Sequence, residues 1–158
     1  MEMNNVISED LVFFLDVNHT DELFEGMFTV LHQKDFVKSS FLTAIKQREV
    51  EYPTGLATET IGVALPHTDA EHVKKEAIGI GILKNPITFR QMGMADANVQ
   101  VNVVFMLALQ KPENQLEVLQ KITGLIQHNS FSEMLMNCST KKQVITTIER
   151  FTKEVHVN

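Results

Sequence analysis

The sequence is poor in cysteine, because its 158 residues include only Cys138. A lone cysteine excludes an intramolecular disulfide and a cysteine-based zinc site, and it suits a reducing compartment. We predict that Cys138 is a half-buried packing residue near the end of a helix.

Positive charge and long apolar runs are also scarce. Fourteen Lys and Arg residues against twenty Asp and Glu residues give a net charge of -6, which opposes attraction to nucleic-acid phosphates and to anionic membranes. The longest run without a charged side chain lies between Asp96 and Lys111, well short of the roughly 20 apolar residues of a spanning helix. Near the N-terminus, Glu9 and Asp10 interrupt the apolar stretch that a signal peptide requires. We therefore expect a cytoplasmic protein with no nucleic-acid partner and no direct membrane insertion.

The remaining composition is that of an ordinary globular protein, with 44% hydrophobic and 22% charged residues. The length fits one compact domain of roughly 100 to 200 residues. No internal repeat and no linker rich in Gly, Ser or Pro divides the chain. We expect one domain over residues 1–158.

Hydrophobic spacing predicts strands and helices in mixed order. Strands are predicted at 10–17, 61–65, 77–83 and 99–109, and the last of these is predicted to be central in the sheet. Helices are predicted after Thr20, after Ser39 or Ser40, over 116–126, after Ser130 and after Ser139, with Pro53-Thr54-Gly55 as a turn. This order predicts an α/β fold, in which a mixed β-sheet is flanked by α-helices.

One histidine, His67, has a distinctive position, because it follows a predicted buried strand and Pro66, whose ring fixes the backbone φ angle. An imidazole held on a rigid element, with an unperturbed pKa near 6.5, can serve as a nucleophile at neutral pH. The other histidines in or beside predicted helices are explained by solvation or ordinary packing; they are His19, His32, His128 and His156. His67 is therefore the candidate functional residue.

Three kinds of chemistry could use His67. Metal binding through His67, Asp69 and His72 has ligand types close in sequence, but the spacing lacks the His-Glu-x-x-His helix pattern. Acyl transfer by a serine is disfavoured, because no Gly-x-Ser-x-Gly motif occurs. Phosphoryl transfer onto His67 needs a fixed cation and hydrogen-bond donors, for which Arg48 and Thr54-Gly55 are candidates.

These candidates also have simpler structural explanations. Arg48 in the last turn of a helix offsets the helix dipole, and Thr54-Gly55 suits a turn. The sequence has no phosphate-binding loop of the Gly-x-x-x-x-Gly-Lys or Gly-x-Gly-x-x-Gly type, so a phosphoprotein is a better candidate donor than a nucleotide.

Two linked motifs identify a family resemblance: REVEYPTGL at residues 48–56 and IGVALPHTD at residues 61–69. They resemble the signature of the fructose/mannitol-type enzyme IIA domains of the bacterial phosphoenolpyruvate-dependent sugar phosphotransferase system. The order of helices and strands resembles that family over nearly the whole chain. The resemblance implies a single α/β domain with a mixed sheet flanked by helices.

The resemblance also implies a function. His67 would accept a phosphoryl group on Nε2 from the phosphocarrier HPr and pass it to a sugar-specific enzyme IIB, and through it to the membrane component IIC. Arg48 would stabilise the charge, Thr54, Gly55 and Gln115 would contact the substrate, and no metal or organic cofactor would be needed. Because a phosphorylated site carries added negative charge, we expect a docking face with apolar residues and few acids.

One position departs from the family pattern. The family often has a second histidine at the start of the helix after the long strand, and here that place reads NQLEVL at residues 114–119, with Gln115 at the histidine position. Glutamine can donate a hydrogen bond to a phosphoryl oxygen but cannot titrate. This glutamine and the segment FRQMG at residues 89–93 resemble the galactitol-type IIA proteins.

Two alternatives remain open beside the sugar phosphocarrier. The same fold and histidine could form a phosphorylation-dependent regulatory module of the nitrogen-phosphotransferase type, which controls a transporter or a transcription factor. A metal-dependent hydrolase using His67, Asp69 and His72 would instead carry stoichiometric metal when purified.

Overall fold

The computed structural model describes residues 2–155, apart from the side chain of residue 155. The strands are β1 Val12–Leu15, β2 Gly55–Ala57, β3 Gly62–Ala64, β4 Ala77–Gln91 and β5 Met94–Ala108. The helices are α1 Thr20–Gln33, α2 Phe41–Glu51, α3 Pro112–Ile126, α4 Asn129–Met136 and α5 Lys141–Val155. Short 3-10 turns lie at Met3–Asn5, Glu9–Leu11 and Ala70–His72.

The five strands form one mixed sheet built on a long antiparallel hairpin of β4 and β5. β1 is parallel to β4, and β3 is parallel to β5. β2 is antiparallel to β3 and also forms a parallel bridge, Gly55 with Gln91, to the far end of β4. Because β5 pairs with β3 on one side and β4 on the other, the prediction that this strand is central is confirmed.

Helices cover both faces of the sheet, as the alternating side chains of β5 show. Phe105 and Leu107 belong to one buried cluster with residues of α3, α4 and α5, while Val104 and Met106 belong to a second cluster with residues of α1 and α2. Successive strand residues point to opposite faces, so one strand supplies both cores. The predicted α/β fold is confirmed.

The hairpin is longer than the sequence indicated. The prediction ended its first strand at residue 83, because charged and proline residues follow, but β4 continues to Gln91. The pairing register shifts between Ile82 and Ile87, so Pro86 falls in an irregularity, where a missing N–H costs no ladder bond. The turn at residues 92–93 contains Gly93 at φ 78°, a conformation that favours glycine.

The predicted helix starts are correct to within a few residues, but the capping residues differ. His19 and His128, instead of Thr20 and Ser130, precede α1 and α4, and Ser40 precedes α2 without a capping bond. The amide N–H of Gln143 donates to the Thr140 hydroxyl, and the Gln143 side chain accepts from the N–H of Thr140, so Thr140 replaces Ser139 as the cap of α5. α3 begins at Pro112, before the predicted range, because proline suits a first helical position.

Cys138 is half-buried just beyond α4 and donates its thiol to the Met134 carbonyl, as predicted. His156 lies outside the described residues. Between residues 2 and 155, no helix has both the length and the apolar character needed to cross a bilayer.

Candidate functional site

His67 lies where the chain leaves β3 and is fixed there by backbone hydrogen bonds to the sheet. The Pro66 carbonyl accepts a bond of 2.9 Å from the N–H of Leu107, near the end of β5. The N–H of Leu65 donates to the Thr54 hydroxyl at 3.1 Å. The predicted placement of His67 on a rigid segment after a buried strand is therefore confirmed.

The imidazole of His67 is oriented by its own backbone. Its Nδ1 atom lies 2.8 Å from the Leu65 carbonyl oxygen. A carbonyl can only accept, so Nδ1 carries the proton and the lone pair of the neutral ring is on Nε2. The half-buried ring thus has Nε2 as its free nucleophilic atom.

The surroundings of His67 keep its ring neutral. Burial lowers the pKa of His67 from its ordinary value, and the positive charge of Arg48 lowers it further. The bond to the Leu65 carbonyl and the negative charge of Asp69 act in the opposite direction without reversing the shift. At pH 7 the unprotonated, nucleophilic form therefore predominates.

Arg48 is the cation of the site. It lies in the last turn of α2, with one guanidinium nitrogen 3.5 Å from the Asp69 carboxylate and the guanidinium carbon 4.7 Å from the centre of the Tyr52 ring. Within residues 2–155, its Nε atom is buried without a hydrogen-bond acceptor. An anion beside His67 would supply an acceptor for this donor and a stronger charge partner than exposed Asp69.

Thr54 and Gly55 belong to the adjacent segment of the same chain, which supports the segment that carries His67. Thr54 is 3% exposed, and its hydroxyl is already bonded to Glu49 and to the N–H of Leu65. Gly55 begins β2, so the predicted turn is wrong at this residue. A Cβ there would lie 2.6 Å from the Arg90 carbonyl oxygen, and glycine permits that close approach.

Glu49 is a site residue that no sequence pattern singled out. Its carboxylate accepts bonds of 2.8 Å from the N–H and from the hydroxyl of Thr54. Burial raises the pKa of Glu49 to about 7, although both bonds from Thr54 act to lower it. Its place beside Arg48 in the 48–56 motif was the available signal, but its contact with Thr54 depends on how the chain continues between the end of α2 and the start of β2.

Gln115 reaches the site from the first turns of α3. Its side-chain nitrogen donates to the Thr68 carbonyl at 3.2 Å, which places this helix beside the residue that follows His67. The next residue, Leu116, begins the predicted helix range and is 59% exposed.

The three candidate metal ligands do not converge. His72 bonds the Ser40 hydroxyl at 2.8 Å through Nδ1, Asp69 faces Arg48, and His67 faces the Leu65 carbonyl. Among the described residues, no three His, Cys, Asp or Glu side chains are grouped in a way that could hold a metal ion.

The fold and the site together define a mixed α/β protein that presents one neutral, oriented imidazole beside an arginine. Residues 5–151 match the family model of the phosphoenolpyruvate-dependent sugar phosphotransferase system, EIIA 2, and the chain belongs to this family. The resemblance of the two sequence motifs is thereby confirmed, and the members of the family are components of a phosphotransferase system.

Individual relatives and solved structures are similar to this chain over most of its length. The galactitol-specific EIIA component of Escherichia coli K12 is 29% identical over 134 residues, which are 85% of this chain and 87% of that protein. The structure of nitrogen regulatory protein IIA-Ntr from Neisseria meningitidis matches with a TM-score of 0.75 at 24% identity, over 92% of this chain and 97% of that one. A structure of the complex of enzyme IIAMTL and phosphorylated enzyme IIBMTL from Escherichia coli matches with a TM-score of 0.74 at 18% identity, over 92% of this chain and 99% of that one.

Proposed function

We propose that this chain, as one EIIA domain, is a phosphocarrier that accepts a phosphoryl group from phospho-HPr on Nε2 of His67 and passes it to a sugar-specific enzyme IIB. The observation that carries the proposal is the 2.8 Å bond between Nδ1 of His67 and the Leu65 carbonyl. This bond leaves Nε2 as the nucleophilic nitrogen.

In the proposed step, the Nε2 lone pair attacks the phosphorus of the donor. A new N–P bond forms as the bond to the donor breaks, and the donor keeps the electron pair of the broken bond. No proton need leave Nε2, because the proton of the neutral ring is on Nδ1. Transfer to enzyme IIB is the same displacement in reverse, with His67 as the leaving group.

Arg48 stabilises the transferred charge. Its free Nε donor and its guanidinium group, only 3.5 Å from Asp69, can turn from an exposed carboxylate to the phosphoryl oxygens. The side-chain amide of Gln115, at present bonded to Thr68, has a second N–H available for the same group. Thr54 and Gly55 act by shaping the segment, because the hydroxyl of Thr54 is already occupied.

In the proposed function, the docking rim is defined as three exposed apolar side chains on or beside the helices that carry Arg48 and Gln115: Val50, Tyr52 and Leu116. Their exposed fractions are 77%, 61% and 59%. The rim combines the Tyr52 ring, which lies 4.7 Å from the Arg48 guanidinium carbon, with two exposed aliphatic side chains, and this composition suits a protein donor better than a free phosphate metabolite.

The proposal is tested by intact mass after incubation with phosphoenolpyruvate, enzyme I and HPr. Wild type and the matched control His72→Ala should each gain one phosphoryl group, and His67→Ala should gain none. Full labelling of His67→Ala would refute the proposed acceptor.

The sugar is proposed from the galactitol-specific relative, whose match spans most of both chains. The test is transfer of the label from the phosphorylated protein to a panel of purified IIB proteins. Fastest transfer to a galactitol IIB supports the proposal, and preference for a mannitol or fructose IIB contradicts it.

A regulatory role is the second candidate, and it is supported by 31% identity over 78% of this chain to the transcriptional regulator ManR of Bacillus subtilis. In that role the protein would still accept the phosphoryl group but would not deliver it to any IIB. A protein that is labelled at His67, fails with the whole IIB panel and binds a regulator in one phosphorylation state would establish this alternative.

A further inference from the structure

Hydrogen bonds on either side of the Leu65 backbone join Glu49 on α2 to the imidazole of His67. The carboxylate of Glu49 accepts from both the N–H and the hydroxyl of Thr54 at 2.8 Å. The Thr54 oxygen accepts from the N–H of Leu65 at 3.1 Å. The carbonyl of Leu65 accepts from Nδ1 of His67 at 2.8 Å.

The direction of these bonds follows from the number of protons available. A threonine hydroxyl has one proton, and an ionised carboxylate can only accept. The proton of Thr54 is therefore directed to Glu49, which leaves the oxygen lone pairs facing the N–H of Leu65. Because Thr54 is 3% exposed, water does not compete readily for these bonds.

We propose that Glu49 is a positioning residue for His67. Through Thr54 it fixes the backbone of Leu65, whose carbonyl holds the proton on Nδ1 and keeps Nε2 free. Glu49 does not contact the reacting atoms. The effect on transfer rests on the proposed function, whereas the effect on the ring itself does not.

The same turn of α2 carries Arg48, so one helix end supplies both the cation and the carboxylate that orients the nucleophile. A neutral amide at position 49 keeps the size of the side chain but has one acceptor oxygen instead of two. It leaves one of the two Thr54 donors unpaired and weakens the hold on Leu65.

The test compares Glu49→Gln and Thr54→Val with two matched controls at pH 8, where wild-type Glu49 is mostly ionised. Thr54→Ser keeps the hydroxyl and should restore wild-type behaviour, whereas Thr54→Val removes it at nearly constant volume. Glu51→Gln removes an equal charge from an exposed position at the end of the same helix.

The first readout is the nitrogen NMR spectrum of the unphosphorylated His67 ring, which reports which nitrogen carries the proton. Wild type, Thr54→Ser and Glu51→Gln should show the proton on Nδ1. Glu49→Gln and Thr54→Val should show a mixture of the two tautomers. Wild-type ring signals in both of these variants would overturn the proposal.

The second readout is single-turnover transfer from phospho-HPr. Glu49→Gln and Thr54→Val should lose about tenfold in the maximal rate, the scale of one weakened hydrogen bond, with an unchanged half-saturating HPr concentration. An unchanged maximal rate in both variants would contradict the positioning role. If wild type itself accepts no phosphate, the proposed function fails, while the ring spectra still decide the role of Glu49.

Discussion

Glu49→Gln should change how the stability of this protein depends on pH. The pKa of Glu49 is raised from 4.5 to about 7 by burial, so the folded state binds a proton more tightly than the unfolded chain does. The stabilisation from this proton is fully present below pH 4.5 and is lost as the pH rises through about 7. This change of stability with pH is opposite in sign to that of a carboxylate in a strong ion pair, whose pKa is lowered.

The magnitude follows from the size of the shift. Raising the pKa from 4.5 to about 7 corresponds to roughly 3 kcal/mol at about 1.4 kcal/mol per pKa unit. The free energy of unfolding of wild type, minus that of Glu49→Gln, should therefore fall by about 3 kcal/mol between pH 4.5 and pH 8. The offset from the lost hydrogen bond, about 1 kcal/mol, applies above pH 7, where Glu49 is ionised and accepts both bonds from Thr54.

The assay is equilibrium urea unfolding of both proteins at several pH values in that window. Groups that titrate in both proteins cancel in the difference, and Glu51→Gln shows what the loss of a negative charge at the end of α2 does alone. If the difference in free energy of unfolding between wild type and Glu49→Gln stays constant from pH 4.5 to 8, the burial of this carboxylate is refuted. A difference that rises with pH would show a lowered pKa instead.

Three further results are expected around His67. In NMR titrations, Asp69→Asn should lower the pKa of His67 and Arg48→Gln should raise it. The reason is that the two charges act on the ring in opposite directions. Shifts of the same sign in both variants would contradict this assignment. Arg48→Gln should also slow transfer from phospho-HPr about a hundredfold at saturation, and a wild-type rate would exclude Arg48 from charge stabilisation. Gln115→Ala should transfer more slowly than wild type and Gln115→His at least as fast, whereas equal rates for all three would make this position purely structural.

Much of this fold could be predicted from local sequence patterns. Helical spacing located α1, α2, α3 and α5 because apolar residues repeat within each segment, whereas α4 was predicted only from a serine, Ser130, that does not cap it. The position of His67 was predictable because a short apolar run and the proline after it are both visible in the local sequence. The motifs at residues 48–56 and 61–69 then identified the family, which hydrophobic spacing alone does not reveal.

The remainder depends on contacts between distant residues. β2 has three residues, too few for a periodic signal, and Gly55 is needed because the chain approaches the carbonyl of Arg90, far along the sequence. The hairpin continues past Pro86 because a register irregularity accommodates the ring. The role of Glu49 was not predictable because the Thr54 hydroxyl that it holds bonds the N–H of Leu65, on a separate strand segment.

The most direct test of the central claim is NMR of the phosphorylated protein, labelled with nitrogen-15 in its histidines. Nδ1 of His67 is bonded to the Leu65 carbonyl at 2.8 Å, so the phosphoryl group should be attached to Nε2, with phosphorus coupling to that nitrogen and the proton retained on Nδ1. Attachment to Nδ1 of His67, or to any other histidine, would contradict the account of the site.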